Sequence, residues 1–443
     1  MEFIISSLFL LFAISQCSLL PLVDGFIQVQ PQQVHLSFSK NPNEVIVTWV
    51  TLMKTNRSIV KYGLKHPDQV VRGAGKEFFD SGLAHRSIFI HRAALTGLKP
   101  KKTYYYRCGS PAGWSAVYHF TAIQSDTKWT PNLAVFGNLG NQNAQSLSRL
   151  QKEAQFGLYD AILHLGDFAF DLSSNDGLTG DEFFRQVEPI AAYVPYMTCV
   201  GNHEIAYNFS NYKNRFTMPN NDGKTNNNLF YSWNIGSAHI ISFSTEFYFA
   251  VEFGWRQIVE QFNWLEKDLK VANQDENRSK RSWIITMGHR PMYCSNNNSD
   301  DCTKQNGIIR TGLPQLQDYG LEKLFYKYGV DLQLWAHENS YERLWPVFNM
   351  TVQNGSDEAP YNNPKAPVHV ITGAAGSVCK RSGFKTKNND WSAFRSEDYG
   401  FTRLFVINAT HLFWEQISND KNGRILDRVM MRKDNYRPAW MNE

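Results

Sequence analysis

Seven short apolar runs, LAVFG, AILHLG, YMTCVG, HIISFS, SWIITMG, LQLWA and VHVITG, recur through residues 133–373, and their spacing constrains the fold more than any other feature. Each has the length and composition of a buried strand. Helical patterns such as AQSLSRLQKEAQFG and the amphipathic RQIVEQFNWLEKDLKVA lie between them. Alternating strands and helices predict an α/β domain with mixed β sheets flanked by helices. Ligands of such sheets bind beyond the carboxyl ends of the strands, so the residues that follow the runs decide the chemistry. Those ends read Gly137-Asn138, Gly166-Asp167, Gly201-Asn202-His203, Gly288-His289 and Ala336-His337-Glu338-Asn339. A small residue precedes the polar one each time, which lets the chain turn and aims the next side chain into a shared crevice. One Gly-His pair would be an ordinary loop feature. Five strand ends presenting Asp, Asn and His to one locus are hard to explain by packing and point to a metal site.

The first part of the chain follows a different rule. Between residues 26 and 123, QQVHLSFS, EVIVTWVTL, SIVKYGL, SIFIHRAAL, KTYYYRCG and SAVYHFTA alternate apolar and polar residues with turn residues between them. That pattern predicts an antiparallel sandwich of seven strands. It holds no concentration of His, Asp or Cys, so the sandwich is not expected to carry chemistry. A length of 443 residues agrees with two domains. The net charge of +4 comes with no Lys/Arg block, so a nucleic-acid partner is not expected.

Residues 1–25 carry an apolar core from Phe3 to Ser15, short for a bilayer span and suited to a signal peptide; a membrane anchor or a buried helix are the alternatives. No later stretch is apolar for long enough to be a transmembrane segment. Export, to the extracellular space or the lysosome, fits the sequons at Asn56, Asn208, Asn277, Asn297, Asn349, Asn354 and Asn408. It also fits Cys294 and Cys302, which flank the polar loop SNNNSDD and could close a short disulfide in an oxidising compartment. With Cys17 in the presumed leader, Cys108, Cys199 and Cys379 remain, so at least one thiol is expected to be free. Cys199, inside a strand-like run, reads as a buried one.

GNHE at 201–204, GHRPMYCS at 288–295, LWAHENSYERLWP at 334–346 and WSAFRSEDYGFTRL at 391–404 together resemble the purple acid phosphatases, within the calcineurin-like metallophosphoesterases. The resemblance covers nearly everything after the leader. It implies that the sandwich is fibronectin III-like and that residues 130–435 form the metallophosphoesterase domain with its family tail. It further implies hydrolysis of phosphate monoesters by a pair of metals, an iron(III) and a divalent partner. Asp167 matches the carboxylate bridging the two. Asn202, His289 and His337 match the remaining ligands of the divalent metal, a set that suits Zn, Mn or Fe(II). His203 matches the imidazole beside the substrate phosphate.

The iron half-site departs from the family. Where the family has an Asp, a Tyr and a second His, this chain has Asn138, Phe170 and Asn339. Iron(III) depends on anionic ligands to offset its desolvation, and one shared carboxylate with two amides does not supply them. The expectation is one divalent metal, no iron(III), no purple colour, and acid phosphatase activity that is weak or absent. At most a hard ion such as Mg or Ca would occupy the altered pocket, weakly. Two other readings compete: an active phosphomonoesterase using an altered or single divalent metal, and an extracellular interaction protein working through its sandwich. Phosphate monoesters or other phosphate-bearing ligands are the expected partners. The residues do not indicate an oligomeric state.

Overall fold

The computed structural model describes residues 28–219, 228–314 and 318–441. The expected leader and Cys17 lie outside the described residues. Alternating side chains build the sandwich from two antiparallel sheets. One runs Gln32–Phe38, Val45–Thr51, Ser87–Leu95, Ala74–Phe79. The other runs Gln69–Arg72, Ile59–Gly63, Thr103–Ser110, Gly113–Trp114, with Tyr118–Thr121 also on Thr103–Ser110. Val34, Leu36, Val47, Trp49, Val60, Tyr104, Tyr106 and Phe120 are buried between them. Among the described residues, nine strands stand where alternation predicts seven. Gln69–Arg72 and Ala74–Phe79 are edge strands exposed along nearly their whole length, so they show no apolar face to read. Gly113–Trp114 is only two residues long.

The second domain has two mixed sheets. One orders its strands Tyr196–Thr198, Ala161–His164, Asn132–Phe136, Gly400–Val406, His411–Ser418, Arg424–Arg432, the first three parallel and the last three antiparallel additions. The other runs Tyr231–Ile235, Ala238–Ser242, Trp283–Met287, Leu332–Trp335, Val368–Thr372, Tyr341–Leu344, Ser392–Ser396, with its second to fifth strands parallel. All seven apolar runs are strands. Gly137 joins the two sheets: its N–H donates to Thr372 O at 2.9 Å, and a Cβ there would stand 2.3 Å from Ala336 Cβ. The parallel halves therefore converge at the ends that carry Asn138 and His337.

The helix Leu178–Ala191 lies against the sandwich. Its Glu188 accepts from Val34 N at 3.0 Å, and Tyr106 Oη donates to Ala192 O at 2.7 Å. Arg215 is fully buried at this joint, bonded to Asp181 Oδ1 at 2.7 Å and Asn211 Oδ1 at 2.8 Å, while Arg86 of the sandwich holds Asp181 Oδ2 at 2.7 Å. Arg86 thus carries the buried Arg215–Asp181 pair into the sandwich, and removing Asp181 would leave the buried Arg215 uncompensated, at a cost of about 3–5 kcal/mol. No helix among the described residues is long and apolar enough to cross a membrane.

Candidate metal centre

Each candidate side chain sits one to five residues beyond a strand. Asn138, Asp167 and His337 all have left-handed backbones, with φ of 57°, 58° and 61°. For non-glycine residues that conformation costs roughly 1–2 kcal/mol each, and three such residues meet here. The glycines beside them make room. A Cβ on Gly201 would lie 2.3 Å from Asp167 Oδ1, and one on Gly166 would lie 2.6 Å from Gly201 N. The small-then-polar pattern is thus a packing requirement of the crevice.

Four donor atoms converge. Asn202 Oδ1 lies 3.2 Å from His289 Nε2 and 3.0 Å from His337 Nδ1. The two imidazole nitrogens are 3.2 Å apart, and Asp167 Oδ2 is 3.2 Å from His289 Nε2. Donors at about 2.1 Å around a tetrahedral ion stand about 3.4 Å from one another, close to these separations. The proton inventory agrees. His289 Nδ1 lies 2.7 Å from Leu165 O, which can only accept, so this ring carries its proton there and turns the lone pair of Nε2 inward. His337 Nε2 contacts the Asp300 carboxylate and lies 3.0 Å from Arg290 Nη1, while its Nδ1 faces the cluster. Four ligand atoms facing one point are satisfied by a cation. Burial pushes the Asp167 carboxyl up, and protonation of His289 beside it, with help from His203 and His337, holds it well below the usual carboxylate range.

His203 stands beside this cluster with its Nδ1 2.5 Å from Asp171 Oδ1. Burial alone would lower its pKa; the bond to Asp171 and the charge of Asp167 outweigh that and raise it to about 9. Its backbone N–H donates to Asp167 Oδ1 at 3.2 Å. The neighbouring Glu204 is buried and accepts from Gly201 N, Asp167 N and Phe168 N at 2.8–3.0 Å, clamping two of the loops together.

The other side of Asp167 is arranged differently. Asn138 Nδ2 donates to Asn339 Oδ1 at 3.0 Å and to His337 O at 2.9 Å, so the two amides are tied to each other. Asn138 Oδ1 is buried without a hydrogen-bond partner. Phe170 packs its ring 4.4 Å from that of His203, centroid to centroid, and has no donor atom.

Comparison with known proteins bears directly on this geometry. Residues 31–122 match the purple acid phosphatase N-terminal domain, 121–341 the calcineurin-like phosphoesterase and 366–428 the iron/zinc purple acid phosphatase-like protein C. The chain is 54% identical over 421 residues to acid phosphatase type 7 of Danio rerio, covering 94% of each. It is 51% identical over 408 residues to acid phosphatase type 7 of Homo sapiens, covering 91% of each. The chain belongs to the purple acid phosphatase family. A purple acid phosphatase from yellow lupin (Lupinus luteus) seeds has the same architecture, with a TM-score of 0.74 at 25% identity, over 91% of this chain and 75% of that one.

As a purple acid phosphatase the chain is a metal-dependent phosphoesterase by family, and the family's centre is binuclear. Of the residues singled out from sequence, Asp167, Asn202, His203, His289 and His337 come together around one point, and Asn138, Phe170 and Asn339 flank it. Cys294 and Cys302 are bonded to each other. Cys108 and Cys199 are buried free thiols and Cys379 a partly exposed one. Of the sequons, Asn56, Asn297, Asn349 and Asn408 are exposed, while Asn208, Asn277 and Asn354 are partly covered. Glu204, Asp171 and Asp300 belong to the site although no sequence pattern singled them out. Glu204 was within reach, inside the GNHE block, whereas Asp171 and Asp300 sit in polar loops with no periodicity to flag them.

Proposed function

We propose that this purple acid phosphatase is an exported family member that keeps a single divalent-metal half-site and has lost the iron half-site. It would bind phosphate monoesters or other phosphate-bearing ligands with weak or no turnover. The observation that carries this reading is the hydrogen bond from Asn138 Nδ2 to Asn339 Oδ1: two neutral amides are tied to each other where the family places iron ligands. Phe170 supplies nothing to replace the third. On the kept side, Asp167, Asn202, His289 and His337 would hold Zn, Mn or Fe(II). Such an ion, when bound, supplies Lewis-acid polarisation of a phosphoryl oxygen.

The remaining chemistry belongs to the chain. Protonated His203, held by Asp171, can donate a hydrogen bond to a phosphate oxygen and pass its proton to a departing alkoxide. Asp167 and Glu204 fix the loop on which His203 stands. A second reading, an active phosphomonoesterase with an altered metal, is favoured by this same His203–Asp171 pair, which is complete.

Metal analysis separates the readings from the family's ordinary state. Purified protein should carry about one divalent ion per chain and almost no iron(III). Nearly two ions with substantial iron would overturn the proposal. Assay with an aryl phosphate from about pH 4 to about pH 8, with Zn, Mn and Mg each supplied, decides between weak binding and altered-metal turnover. Robust hydrolysis with one of them establishes the second reading.

A further inference from the structure

We infer that Asp300 is the positioning residue that makes His337 a metal donor, by fixing which of its ring nitrogens carries the proton. The inference rests on the kept divalent half-site proposed above. His337 Nδ1 faces the cluster, 3.0 Å from Asn202 Oδ1 and 3.2 Å from His289 Nε2. Its other nitrogen, Nε2, has two competing partners. Asp300 Oδ2 can only accept from it, and Arg290 Nη1, 3.0 Å away, can only donate to it. The two pull the ring in opposite directions. A proton on Nε2, shared with Asp300, leaves the lone pair on Nδ1 for a metal. An Nε2 that accepts from Arg290 would move the proton to Nδ1 and block the same position.

Asp300 is held for the task. The loop that carries it is closed by the Cys294–Cys302 disulfide. Asn298 donates to both oxygens of buried Glu338, at 2.9 and 2.8 Å, and accepts from Asp300 N at 3.2 Å. Asp301 N donates to Asp300 Oδ1 at 2.6 Å, which leaves Oδ2 for the imidazole. Arg290 is meanwhile engaged by Glu246, through an Nε–Oε2 contact of 2.9 Å. Glu338 adjoins His337 in the chain, so the disulfide loop is tied at two consecutive residues of one strand end. Hydrogen-bonding carboxylates of this kind orient metal-bound imidazoles, and their removal typically lowers metal affinity about 10–100-fold.

The test is titration of the metal-free full chain with Mn, Zn and Co(II), following heat and the visible bands of Co(II). Asp300→Ala should weaken binding about 10–100-fold and shift the Co(II) bands. Asp300→Asn, whose amide oxygen still accepts from Nε2, should restore most of the affinity. The melting temperature of each metal-free variant is measured alongside, and Asp300→Asn keeps the test open if Asp300→Ala folds poorly. Unchanged affinity and unchanged bands in Asp300→Ala would overturn the inference, as would equal weakening in both variants. Wild-type protein that binds none of the three ions would instead remove the half-site reading itself.

Discussion

The triple variant Asn138→Asp, Phe170→Tyr, Asn339→His is expected to take up iron, turn purple and gain acid phosphatase activity. The geometry explains why the three changes act together. Asn138 Nδ2 donates to Asn339 Oδ1, so the two amides engage each other at the positions from which iron ligands would have to face a common ion. With Asn138→Asp alone, the new carboxylate still finds a donor in the Asn339 amide, but by itself it does not offset the desolvation of iron(III). Asn339→His alone lacks the anionic oxygens. Phe170 is only half-buried, and its ring already lies against His203, so a hydroxyl can be added without opening the core. The backbone is ready as well, since Asn138 already holds the left-handed conformation, which an aspartate tolerates. A second ion supplies several kcal/mol of charge stabilisation in two-metal hydrolysis, which corresponds to a gain of roughly 100- to 1,000-fold. Iron content, visible absorption and aryl phosphate hydrolysis in acid are the measurements. Iron loading and colour without activity would place further damage in the substrate pocket. No iron uptake would show that more than these three side chains separates the site from the family's.

What the sequence made legible is the part governed by period and position. Buried parallel strands must be apolar throughout, and the residue after each must turn, so LQLWA followed by His337 announces both strand and site. Asn138, Phe170 and Asn339 stood out because a resemblance says what ought to be there. Spatial convergence without a repeat was invisible. Asp300 is 37 residues from His337 and reaches it only because a disulfide and Asn298 fold the loop back. Arg215 reads as the end of an ordinary polar helix, yet it is the buried cation of the domain joint. The exposed edge strands of the sandwich failed for the opposite reason: having no buried face, they leave no pattern.

His369→Gln should lose less stability in acid than the wild type, with the difference between the two growing by roughly 3 kcal/mol between pH 7.5 and pH 4. His369 is buried within the second sheet, where its Nδ1 accepts from Trp335 Nε1 at 3.1 Å. Burial lowers its pKa from 6.5 to about 3. The sign follows from which state binds the proton. Above pH 6.5 the ring is neutral in both folded and unfolded chains and contributes no pH dependence. Between 6.5 and about 3 only the unfolded chain takes up the proton, so stability falls as the pH falls. Glutamine does not titrate and keeps an acceptor for the Trp335 N–H, so the variant lacks this loss. At pH 7.5 it should be the weaker protein, because the imidazole's packing against Tyr293 is gone. A difference measurement is needed because other groups pull both ways. His35 and His91, each lowered to about 4 mainly by burial, add to the acid loss, whereas Glu204, raised to about 8 mainly by burial, opposes it. Those groups are common to both proteins and cancel. Denaturant midpoints of the two proteins across this range are the check, and curves that run parallel would show that His369 is not held neutral by the fold. The comparison also bears on the family's acidic working range, because buried neutral histidines such as His369 then cost stability in acid whatever the metal site retains.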